Sequence, residues 1–96
     1  MINEIESIVK FLFEDPKESR CTDCINEVFD YFGERINEEN VDFIKFDQDL
    51  KKIFTTYKSE IKESWWVYVK MGEFSSNAIP YKALWDLFEE EQNKHS

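Results

Sequence analysis

Apolar residues recur at intervals of three and four along most of this chain, and little interrupts them: 96 residues include two glycines and two prolines. That period puts side chains on one face of a helix, and so few breakers leave room only for short connections. The first stripe is Ile2, Ile5, Ile8, Val9, Leu12 and Phe13, with Asn3 as a candidate cap and Pro16 ending the helix before it. The second is Cys21, Cys24, Ile25, Val28, Phe29 and Phe32, opened near Pro16 and closed by Gly33 as a C-terminal cap. A third starts at Asp47, with Asp49 as a first-turn acid, and runs through Leu50, Ile53, Phe54, Tyr57 and Ile61. Its period continues through Trp65, Tyr68 and Met71 to Gly72. A last helix, from Pro80 to about Gln92, turns Ala83, Leu84, Leu87 and Phe88 inward with Trp85 at its edge, and residues 93–96 are expected to fray.

Two stretches carry conflicting signals. Asn37 with Glu38 and Glu39 reads as a helix start, while Val41, Phe43, Ile44 and Phe46 also suit a short strand. Trp65 to Val69 has the strongest strand propensity in the chain, against an unbroken helical period. A lone strand needs a partner, so the period is preferred. The expected fold is all-α, residues 1–96 forming a single acidic globular domain built as a small antiparallel bundle of four to five helices. The alternative is an α+β domain with a short two-stranded element around 41–46 and 65–71.

With 42% hydrophobic and 17% aromatic residues, the chain has ample material for a core. Glu4 and Glu6 interrupt the apolar pattern of the N-terminal segment, unlike a secretory leader, and no apolar run nears the roughly 20 residues of a membrane span. Two neighbouring cysteines do not make a secreted disulfide scaffold. A cytoplasmic location is the expectation.

Chemistry-bearing motifs are sparse. Cys21-Thr-Asp-Cys24 supplies two of the four ligands of a structural zinc, and both cysteines lie on an apolar stripe, where they read as small buried hydrophobes. Metal binding shared across a dimer, or redox activity, are the other readings of that pair. Asp47-Gln-Asp49 begins like a calcium loop, but the turn glycine is missing and Lys58 stands where a bidentate glutamate belongs. There is no glycine-rich phosphate loop and no G-x-S-x-G, and the one histidine is His95. The expectation is a protein that is not an enzyme, with no cofactor and no metal site.

Charge is the more informative signal. The net charge is −9, and the first 49 residues carry 14 acids against 5 bases. Such an excess repels nucleic acid and anionic membrane and attracts basic proteins. Asp23, Glu27, Asp30 and Glu34, spaced four, three and four, share one helical face opposite the apolar stripe, with Glu38, Glu39 and Asp42 following. Like charges at that spacing cost a helix a few tenths of a kcal/mol each, so stability alone does not select the row. Tyr31 flanks it as an expected aromatic anchor. Lys51, Lys58 and Lys62, with Lys52 nearby, form a weaker basic stripe whose stems cover the core edge or pair with acids.

In size and charge the chain resembles bacterial immunity proteins that neutralise nuclease toxins. That resemblance implies carboxylates and aromatics presented to a basic, phosphate-binding active site. The expected function is therefore an inhibitor or immunity-type protein that occludes a basic partner, such as a nuclease or another nucleic-acid-handling protein, without binding nucleic acid or membrane itself. The expected contact residues are Asp23, Glu27, Asp30, Tyr31, Glu34, Glu38, Glu39 and Asp42, and the expected state is monomer or homodimer. The alternative is a non-catalytic helical adaptor or regulatory subunit that binds through an apolar groove or dimerises.

Overall fold

In the computed structural model the fold is all-α, a small helical bundle, described for residues 1–38, 40–65 and 79–94. Among the described residues four long helices build it: α1 (Ile2–Leu12), α2 (Ser19–Arg35), α3 (Phe43–Thr56) and α4 (Ile79–Lys94). A 3₁₀ turn, Lys58–Glu60, follows α3. Helix α2 packs between α1 and α3, and α4 packs against both α1 and α3. Among the described residues no strand forms, only an isolated antiparallel bridge between Phe13 and Ile61. Residues 41–46 are loop and first helical turn, so the two-stranded alternative lacks its first strand. The proposed second stretch lies outside the described residues from Trp66 onward.

The core is one contiguous apolar cluster drawn from all four helices. Ile5, Val9 and Leu12 come from α1, Cys21, Cys24, Ile25, Val28 and Phe32 from α2, Phe46, Leu50 and Phe54 from α3, and Leu84 and Phe88 from α4. Phe46 is its aromatic centre. Its ring lies 5.9 Å from Tyr31, 6.0 Å from Phe32, 5.1 Å from Trp85 and 5.1 Å from Phe88. Edge and tilted arrangements of this kind add about 0.5–1.5 kcal/mol per pair beyond area burial.

Element boundaries differ from the sequence reading in several places. Met1, not Asn3, precedes the first turn of α1. Helix α2 starts at Ser19 rather than near Pro16, because residues 15–18 form a turn in which Asp15 accepts from the Lys17 amide at 3.0 Å and the Glu18 amide at 3.2 Å. Its other end passes through Gly33: the Ile36 amide donates to the Phe32 carbonyl at 2.9 Å, and burial of Ile36 carries the helical path past the glycine. Helix α3 starts at Phe43, not Asp47, because the Asp42 carboxylate accepts from the Lys45 amide at 2.8 Å as N-cap.

Helix α3 also ends earlier than its period predicts, at Thr56. Residues 60–62 then pair with the segment leaving α1. The Glu14 amide donates to the Glu60 carbonyl and the Lys62 amide to the Leu12 carbonyl, both at 2.9 Å. Those bonds hold Ile61 extended against Phe13, with both side chains in the core, which a continuous helix does not allow. Helicity resumes at 63–65, and Trp65 is half-buried against the cluster, as its period predicts.

Gly33 is therefore an interior helical residue with open space around a would-be Cβ. Gly33→Ala is expected to raise stability by about 0.5–1 kcal/mol, the usual helix-propensity difference. A urea midpoint that falls instead would show that the backbone there is not relaxed helix.

Candidate functional site

The acidic row lies on α2 as its spacing requires. Asp23, Glu27, Asp30 and Glu34 are all exposed, and because the helix continues through Gly33, Glu34 falls in line with the other three. Among the described residues none of the four takes part in a salt bridge. The two arginines of α2 are engaged elsewhere, one at each end. Arg20 Nε donates to Glu60 at 3.2 Å and its Nη2 to the Thr56 carbonyl at 2.8 Å. Arg35 Nη1 donates to Glu38 at 2.7 Å. The middle of the helix face is left with uncompensated negative charge.

Beside that face, α2 and α3 enclose an open groove of about 370 Å³. Glu27, Asp30 and Glu34 form one wall, Lys52, Ile53 and Thr56 the other, and Tyr31 lies between them. The α3 wall is missing from the sequence-derived site. Its signal is the run Asp49, Lys52, Ile53, Thr56 at helical spacing, which identifies a face of α3 but does not say that α2 lies across from it.

The remaining expected contact residues divide. Tyr31 is buried, 8% exposed, and is not a surface anchor: its ring packs on Phe46 and Phe88, and its hydroxyl donates to Asp49 Oδ2 at 2.8 Å. A position one residue from the row's Asp30 lies about 100° around the helix, here enough to turn inward. Glu38 pairs with Arg35, and its carbonyl accepts from Gln92 Nε2 at 3.1 Å. Asp42 caps α3. Glu39 lies outside the described residues.

The lysine stripe dissolves into separate roles. Lys51 pairs with the nearly buried Asp47 at 3.3 Å, and Lys62 lies 5.2 Å above the exposed Phe11 ring. Lys52 alone faces the groove.

Buried polar chemistry supports the site from below. Burial pushes the Tyr31 hydroxyl well above its ordinary range, and the bond to Asp49 adds to that shift. Burial also pushes Asp49 upward, but hydrogen bonds from Tyr31 and Lys45 outweigh it and hold the carboxyl below its ordinary value. Tyr57 is buried under the Arg20 guanidinium, 4.4 Å above its ring. Burial, with the Glu27 carboxylate accepting its hydroxyl, pushes it up to about 12.

Cys21 and Cys24 are free and wholly buried, and burial raises both thiols, Cys24 the further. Raised thiols disfavour the thiolate form from which a cysteine attacks as a nucleophile. Among the described residues no three of His, Cys, Asp and Glu converge on a metal-sized space, and no helix is long and apolar enough to cross a membrane. Set against family models, curated proteins and solved structures, the chain finds no match.

Two measurements follow from these environments. Cys21→Ala with Cys24→Ala is expected to cost about 1–3 kcal/mol of packing stability and nothing else. Stoichiometric zinc in the purified wild-type protein would contradict that. Because Tyr31 and Tyr57 have raised folded values, the stability they contribute is complete below the ordinary value of 10.0 and is lost as pH rises through the folded value, about 12 for Tyr57. Phenolate absorbance is therefore expected to show at least two of the four tyrosines, Tyr31 and Tyr57, ionising only as the protein unfolds. Ionisation of all four near pH 10 with the helical signal intact would refute the burial of both hydroxyls.

Proposed function

We propose that this protein is a non-catalytic binding protein, an inhibitor or immunity-type domain that covers a basic surface of another protein with the acidic face of α2. The observation that carries this reading is the row Asp23, Glu27, Asp30 and Glu34: exposed, in line, and without a salt bridge among the described residues, while both arginines of the helix are tied off at its ends. Repulsion along such a row works against the helix and is tolerated because the opposite face is anchored in the core. Aimed at a basic cleft, the same carboxylates accelerate encounter and, where desolvated against Arg or Lys, slow dissociation. A nuclease or another nucleic-acid-handling protein has a surface of the required sign. The chain acts in the cytoplasm on this reading, as a monomer or a homodimer.

The second reading, a helical adaptor that binds through apolar surface, draws on Phe11 and Ile44, which are 56% and 66% exposed. They stand on different helices, and single exposed apolar residues are ordinary on protein surfaces.

The experiment compares two neutralised variants of equal charge change. Asp23→Asn, Glu27→Gln and Asp30→Asn together preserve or raise the melting temperature, since the side chains are exposed and Gln keeps an oxygen for Tyr57. The same variant is expected to weaken binding to a basic partner captured from the native host about tenfold or more at low salt. Glu89→Gln, Glu90→Gln and Glu91→Gln on α4 are expected to leave it nearly unchanged. Equal losses in both variants would reduce the acidic surface to a solubility device, and salt-insensitive capture would favour the adaptor.

A further inference from the structure

A row of acids on a helix is common and by itself marks no site. What sets this one apart is the groove alongside it, with an apolar patch at Ile53 and a cation, Lys52, on the far wall. Lys52 lines the same hollow as Glu27, Asp30 and Glu34 and closes a salt bridge with none of them. Other lysines of α3 do pair: Lys45 reaches Asp49 at 3.1 Å and Lys51 reaches Asp47 at 3.3 Å. The groove is thus not sealed by its own charges.

Its size selects the occupant. About 370 Å³ is at the small end of ligand clefts. One long cationic side chain fits, with an aliphatic stem for Ile53 and a charged head for the carboxylates. Arginine suits the wall better than lysine, because its planar fork engages carboxylates at two points and gives up its hydration more readily.

We infer that the groove between α2 and α3 seats a single arginine side chain of the basic partner, stem over Ile53 and guanidinium against Glu27, Asp30 and Glu34, and that Lys52 limits how tightly it is held. This rests on the reading proposed above and adds to it the anchor residue and a specificity determinant. Lys52 repels the incoming cation, so the groove discriminates against weakly basic surfaces, which lack the charge to displace it. The consequence is counterintuitive for a binding surface: removing one of its own residues tightens binding.

The test uses an acetylated, amidated hexa-arginine peptide titrated at low salt into the full chain, followed by NMR of backbone amides and methyl groups. Saturable shifts are expected at the Ile53 methyls and at Thr56, together with Glu27, Asp30 and Glu34. Lys52→Gln is expected to tighten the peptide about threefold or more, while Lys17→Gln, the same change of net charge at an exposed turn lysine, alters it much less. If the α2 amides respond but Ile53 and Thr56 do not, and the two lysine variants behave alike, the arginine seat is overturned while the acidic face stands. If the shifts centre on Glu89 to Glu91 or spread evenly over the acids, both readings fall.

Discussion

The bundle depends on where Phe46 points. From the first turn of α3 its ring meets Tyr31 and Phe32 of α2 on one side and Trp85 and Phe88 of α4 on the other. Three helices are joined through one fully buried side chain. Its direction is set four residues earlier, where Asp42 caps α3 and so determines the phase at which every later residue faces in or out. With that phase, Leu50 and Phe54 follow Phe46 into the core, and Lys52 and Ile53 line the side next to α2. The groove is therefore a by-product of how the aromatic centre is built. Tyr31 connects the two: its ring belongs to the centre, and its hydroxyl, bonded to Asp49, ties α2 to α3 just beneath the groove.

Much of this was legible in the chain. The stripes of α1 and α2 and the inward face of α4 follow from spacing alone, as do the burial of Cys21 and Cys24 and the alignment of Asp23, Glu27 and Asp30. Misreadings arose where a local signal competed with a distant contact. Gly33 looks like a cap, but buried Ile36 carries the helix beyond it. Tyr57 to Ile61 keep a helical period, yet hydrogen bonds to Leu12 and Glu14 divert them, and no pattern within the segment encodes a partner nearly fifty residues away. Asp42 and Asp47 both suit a cap, and only the demand to bury Phe46 decides between them. Tyr31 illustrates the limit of reading a face by proximity in sequence, since the neighbour of an exposed Asp30 is a core residue.

The distribution of charge explains more than its total. Most described lysines and arginines neutralise an acid close at hand: Lys10 with Glu6, Lys45 with Asp49, Lys51 with Asp47, Lys82 with Asp86. The pairs exposed on both sides, Lys10 with Glu6 and Lys82 with Asp86, each contribute little to stability. The collective effect of all these pairs is to leave the excess negative charge unevenly placed, concentrated along α2, which carries no lysine of its own. A net charge of −9 spread evenly would be a solubility property. Gathered on one helix face beside a groove, it becomes a directional field.

The start of α2 has no side-chain cap of its own; Glu18 stands at the N-cap without a capping bond. Arg20 supplies the restraint instead, stacking on Tyr57 and bonding Glu60 and the Thr56 carbonyl. Glu60 in turn is fastened to the exit of α1 through the Glu14 amide. Three segments, two near residues 13 and 20 and the third some forty residues on near 60, thus share one fastening. In hydrogen-exchange terms such a shared fastening is expected to make them a single cooperative unit, in which amides of the first turn of α2 and of the 3₁₀ turn open together rather than fraying each on its own.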